Sequence, residues 1–130
     1  MMIINKQNSS ISLTTVLIIG AMLLLSSIVL INSSLDLLSS TKAYSDHKIA
    51  QFNTDTCFEE AMIKIKANPS FTGEAQVAVN NGTCNYNIAN YQGNSTQKAI
   101  YLIGSLNGTV FNSARLADLT QTPISVSHLN

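Results

Sequence analysis

The chain has 130 residues, and its seven basic and seven acidic side chains give a formal net charge of zero. With no basic block it lacks the electrostatic footprint of a nucleic-acid binder. What charge there is lies unevenly, since none falls between Lys6 and Asp36.

Inside that gap runs ISLTTVLIIGAMLLLSSIVLI, Ile11 to Ile31, 21 residues without a charge. A bilayer core takes about 20 apolar residues as one helix, so the run is long enough to span. Three readings fit it. A cleaved secretory signal has an apolar core of about 7–15 residues and an A-x-A-like cleavage site; this run is longer, and its nearest cleavage candidate is the SSTKA segment from Ser39 to Ala43. A single-span anchor is the second, with the lone Lys6 favouring an inside N-terminus and an outside domain. The third is a helix that spans the membrane first and later packs in a filament core.

From Asn32 to Asn68 there is neither Gly nor Pro, so nothing interrupts a helix for 37 residues. Apolar residues recur with helical spacing at Leu35 and Leu38, Ile49 and Phe52, then Phe58, Met62 and Ile65. Ser39 to Gln51 is more polar, and a bend or fraying is expected there. Glu60 and Lys64 stand four apart in the favourable order. Asn68-Pro69 then stops the helix.

Beyond the proline the period changes to two. Asn81-Gly82 reads as a type I′ hairpin turn, which pairs Asn80 with Thr83, Val79 with Cys84, Val77 with Tyr86 and Ala75 with Ile88. The apolar residues then share one face, while Gln76, Ala78, Asn85 and Asn87 share the other. Cys84 points to the core, where the helix end carrying Cys57 must lie. Two cysteines in a small exported domain pair as a disulfide; in a cytosolic domain they would be two buried thiols. Ala99 to Ile103 reads as a central strand and Asn107-Gly108 as a second tight turn. A strand follows from Thr109 to Leu116, and Pro123 to Ser127 gives a weak edge strand.

The organisation is thus a short leader or cytoplasmic segment (1–10), a membrane-spanning helix (11–31), its amphipathic continuation (32–68) and a sheet part (69–130). The fold class is α+β, a long N-terminal helix on an antiparallel sheet of about four strands.

That layout resembles a type IV pilin or pseudopilin. The segment Cys57 to Ile88 is similar to the cysteine-bounded part of PilX-like minor pilins of small-genome bacteria. The matching positions are Cys57, Glu59, Glu60, Ala61, Asn68, Phe71, Thr72, Gly73, Gly82 and Cys84, and Phe111 to Arg115 looks like a later strand of that group. The resemblance implies a structural subunit, a minor pilin or pseudopilin, serving adhesion, motility or uptake. Ile11, Leu13, Val16, Leu17, Gly20, Leu24 and Val29 would pack against lipid and then in the filament. The implied partners are other pilin subunits, the assembly machinery, and membrane lipid before assembly. Its location would be the inner membrane, as a single-pass protein with an external domain, or the extracellular filament. The chain departs from the family pattern in one respect: no processing Gly precedes the apolar run, and no acidic residue occurs before Asp36. The alternative is a membrane-anchored or secreted binding module, adhesin-like, with the helix broken near Asn32 to Ser40.

Enzyme chemistry is not expected. Glu59 and Glu60 are adjacent on a helix and point about 100° apart, so they cannot flank one bond. His47 and His128 have no local metal partner, and no phosphate-binding, dinucleotide or nucleophile motif is present. No cofactor, metal or small-molecule substrate is therefore expected. N-x-[ST] sequons occur at Asn8, Asn32, Asn81, Asn94 and Asn107; at Asn81 and Asn107 a turn already explains the asparagine.

Overall fold

The computed structural model describes residues 4–79 and 82–129. Helix α1 runs Ile4–Ala67, and the polar stretch from Ser39 to Gln51 is helical throughout, without the fraying expected there. Its end lies where Asn68-Pro69 requires. The Asn68 amide donates to the Lys64 carbonyl at 2.9 Å, and the Asn68 side chain accepts from the Ser70 amide at 3.1 Å. Lys64 and Lys66 occupy the last turn, complementing the negative end of the helix dipole. The chain divides into two compact units, one up to Thr41 and one from Lys42 onward.

The second unit holds the rest of α1 and a five-stranded antiparallel sheet: β1 (Gly73–Val79), β2 (Gly82–Tyr91), β3 (Asn94–Leu106), β4 (Thr109–Asp118) and β5 (Ser125–His128). Strand order in space equals order in the chain. With the helix packed on this sheet the arrangement is α+β, with five strands where about four were expected.

The face of α1 turned to the sheet carries Ala50, Asn53, Thr54, Cys57, Ala61, Met62 and Ile65, all buried. Opposite them stand Cys84, Tyr86 and Ile88 of β2 and Ile100 and Leu102 of β3. Cys57 and Cys84 are bonded, with Cα atoms 6.0 Å apart. The outer side of this contact is tied by Arg115 of β4, which pairs with Asp55 and lies over the Phe58 ring at 4.3 Å. Expected partners Glu60 and Lys64 approach to 3.9 Å on the exposed side, worth a few tenths of a kcal/mol.

Small residues concentrate where helix and sheet come closest. A Cβ on Gly104 would overlap Thr54 Oγ1 and come within 2.5 Å of the Ala50 carbonyl oxygen. A Cβ on Gly82 would overlap the Ser105 carbonyl oxygen and approach Asn53 Nδ2 to 2.8 Å. Helix backbone thus nearly touches strand backbone where Ala50 and Thr54 meet Gly104, while Gly82 lets β2 close on the Ser105 carbonyl of β3 beside Asn53.

This corrects the first hairpin. Gly82 is not a turn residue: it belongs to β2 and pairs with Val79, and the positive-φ glycines are Gly73, Gly93 and Gly108. Close approach, rather than a left-handed turn, is what demands glycine at position 82. Asn81, the other expected turn residue, lies outside the described residues, as does Asn80. The observed pairs are Ala78 with Thr83, Val77 with Cys84, Ala75 with Tyr86 and Gly73 with Ile88, a slide of two residues from the expected register. Because side chains alternate with period two, the slide leaves every residue on its expected face.

The second expected turn is present. Asn107 and Gly108 have φ of 50° and 82°, and Leu106 pairs with Thr109 across them. A further left-handed pair, Gln92 and Gly93, closes the β2–β3 hairpin beside a bulge at Asn90/Tyr91. Near it Lys98 is buried, its Nζ donating to Asn90 Oδ1 at 2.5 Å.

Candidate interaction surfaces

Over Ile11 to Ile31 α1 carries no charged side chain, and its large apolar residues stand exposed. Its most apolar 18-residue window has mean hydropathy 2.5 and is not buried at all, so the helix is long and apolar enough to cross a membrane. Several of the hydroxyls within it are satisfied by the helix itself. Thr15 donates to the Ile11 carbonyl at 2.8 Å, Ser26 to the Met22 carbonyl at 3.0 Å and Ser27 to the Leu23 carbonyl at 2.8 Å. Such back-bonding is what a hydroxyl needs where no water is present. The expected packing residues Ile11, Leu13, Val16, Leu17, Leu24 and Val29 are all exposed. Gly20 has nothing within 4 Å of its Cβ position, leaving a notch against which another helix backbone can close.

In the second unit the face of α1 opposite the sheet is not the polar face expected of a helix half-buried in a monomer. Phe52 is 59% exposed and Ile63 60% exposed, with Ile49 and Tyr44 also open to solvent. Ile49, Phe52 and Ile63 fall at positions a, d and a of a seven-residue repeat. The same frame puts Ala21, Ile28 and Leu35 at a, and Leu24, Ile31 and Leu38 at d. Lys42, Ser45, Thr56, Glu59 and Lys66 interrupt it. Sustained a/d repeats of this kind are used in helix-on-helix packing; here the second unit contributes only Ile49, Phe52 and Ile63 to the frame. Helical spacing at Ile49 and Phe52 was visible in the sequence; that they face away from the sheet was not.

The sheet presents its own outer face. Tyr101 and Ile103 of β3 stand exposed there, beside a groove of about 550 Å³ running toward β1.

Two titratable groups are shifted by their surroundings. Asp118 accepts hydrogen bonds from the Thr120 hydroxyl at 2.6 Å and the Thr120 amide at 2.9 Å, which hold its carboxyl below the ordinary aspartate value. A carboxylate with a depressed folded pKa stabilises above its unfolded pKa, about 4, and that contribution is lost as pH falls through the folded value. Asp118→Asn should therefore flatten the acid limb of stability below about pH 4, read as the urea midpoint of the full chain in detergent at neutral and acid pH. An unchanged acid limb would show that the turn contributes nothing. Burial, reinforced by the Glu60 charge, pushes the Tyr86 hydroxyl up, as its place in the core demands.

His47 meets the Phe111 ring edge-on at 5.4 Å, and His128 lies in β5. Among the described residues no three His, Cys, Asp or Glu side chains converge in a way that could hold a metal ion. Compared with family models, curated proteins and solved structures, the chain matches none. Its surfaces carry the functional reading by themselves.

Proposed function

We propose that this chain is a structural subunit of a type IV pilus-like surface filament, in the manner of a minor pilin or pseudopilin. It would be held first in the inner membrane by the apolar part of α1, with the sheet outside, and then packed through that helix against other subunits. The observation that carries this reading is the exposed apolar seam of α1, Ile49, Phe52 and Ile63, on the face opposite the sheet. A lipid anchor requires apolar residues over about 20 positions, and those from Ile11 to Ile31 suffice. Leu35, Leu38, Ile49, Phe52 and Ile63 exceed that need. Fully burying an exposed side chain of this kind contributes about 1.5–3 kcal/mol, so the remaining exposed area of these residues, least at Ile49, contributes a part of that at each position. The unbroken helix through Asn32 to Ser40 also favours this reading over a domain on a flexible tether.

The test is shearing of cells that express the protein, followed by mass spectrometry of the sheared and membrane fractions. The expected result is recovery of the chain in sheared filaments with its apolar helix attached. Phe52→Glu combined with Ile49→Asp should leave it in the membrane with the Cys57–Cys84 bond intact. Recovery of the unaltered protein solely as membrane monomers would sink the proposal and favour an anchored, adhesin-like module.

A further inference from the structure

The outer face of the sheet is organised into two rows by the strand registers. One row runs from Glu74 on β1 through Asn87 on β2 to Tyr101 on β3; the next runs from Gln76 through Asn85 to Ile103. These six residues line the groove of about 550 Å³, a volume within the range of small-molecule sites. Tyr101 is 50% exposed, so its ring stands as an apolar wall beside the amides. None of the side chains of Glu74, Gln76, Asn85 and Asn87 makes a hydrogen bond or ion pair within the protein among the described residues.

The chemistry of this lining is selective. Each amide both donates and accepts, and the single carboxylate only accepts. No cation lines the groove, so phosphate, sulfate and nucleic acid have nothing to pair with. Cross-strand neighbours place side chains roughly 5 Å apart, comparable to the width of a sugar ring. A pyranose offers what this surface complements: a C–H face to stack on an aromatic ring and a rim of hydroxyls that donate and accept. An apolar peptide would instead leave three amides and a carboxylate desolvated and unpaired, at a cost of about 1–3 kcal/mol each.

We propose that this groove binds a neutral saccharide. The Tyr101 ring stacks on the C–H face of one sugar, and Gln76, Asn85 and Asn87 exchange hydrogen bonds with its hydroxyls. Glu74 accepts from a hydroxyl at the outer end. The site lies wholly within the sheet and is independent of whether the chain assembles into a filament.

The experiment is titration of the full chain, in a detergent without a sugar headgroup, followed by backbone amide NMR. The probes are maltotriose, cellotriose, triacetylchitotriose and a sulfated heparin hexasaccharide. At least one neutral trisaccharide should shift the amides of Asn85, Asn87 and Tyr101 at or below ~10 mM. Tyr101→Ala should weaken that binding about tenfold or more, Tyr101→Phe should retain it, and Asn112→Ala on the far side of Ile103 should leave it unchanged. Tyr101 is half-exposed, so its truncation is compatible with folding, and an unchanged thermal midpoint would verify this. The proposal is overturned if no neutral probe shifts these resonances at ~10 mM. Binding of the sulfated probe alone, or equal binding by Tyr101→Ala, overturns it as well.

Discussion

Reduction of the Cys57–Cys84 bond should cost the domain about 3.5 kcal/mol, the loop-closure value for a bridge across 27 residues. For a domain this small, that is a fall in thermal midpoint of roughly 15–25 °C. The bond joins the buried face of α1 to the inner face of β2, and both cysteines are fully buried, so its loss releases the helix from the sheet at the centre of their contact. Cys57→Ala/Cys84→Ala is the variant to compare, since it leaves no free thiol to exchange. The measurement is thermal unfolding of the full chain in detergent, with and without reductant. If the double variant melted within a few degrees of the unaltered protein, the apolar contacts around the bridge would be holding the helix unaided.

An equally large effect is expected from a single methyl group. Gly104→Ala places a Cβ into Thr54 Oγ1 and within 2.5 Å of the Ala50 carbonyl oxygen. One of these obstacles is helix backbone, which cannot rotate away. Overpacking of a rigid site costs typically 1–3 kcal/mol and at times more, and we expect about 3 kcal/mol or more here. Two companion variants locate the cause. Thr54→Ala in the Gly104→Ala background should recover only part of the loss, because the Ala50 carbonyl remains. Gly20→Ala, with nothing within 4 Å of the added atom, should leave the midpoint of the domain unchanged. Urea midpoints of the three variants read this directly, and a neutral Gly104→Ala would mean that helix and strand separate at little cost.

Much of the fold could be read from the amino acids because its signals are strong and local. A charge-free apolar run, a long stretch without helix breakers and an Asn-Pro stop define α1 closely. Alternation assigned the faces of β1 and β2, and Asn107-Gly108 marked its turn. The misplaced Asn81-Gly82 turn shows where local reasoning ends. The same dipeptide signals a left-handed turn or a tight tertiary contact, and only the position of Ser105 and Asn53 distinguishes them. The turn at Gln92-Gly93 escaped notice because glutamine carries no preference for positive φ, and the neighbouring bulge hides the alternation. Burial of Lys98, the Arg115 contact with Asp55 and Phe58, and the groove beside Tyr101 each depend on strands brought together by pairing. No sequence window contains them. The apolar seam was half legible: its spacing was present, but which face the sheet would claim was not.

Because each strand lies beside its predecessor, the sheet needs no pairing between distant parts of the chain. Topologies built from near-neighbour contacts form quickly, since little loop entropy is lost before each contact is gained. The domain can therefore condense in order, hairpin upon hairpin against the part of α1 that carries Ala50 to Ile65. The four-residue β5 is the last piece added and the least consequential to delay. A long first helix is thus followed by a sheet able to close on it in sequence, each new strand pairing with the edge left by the one before.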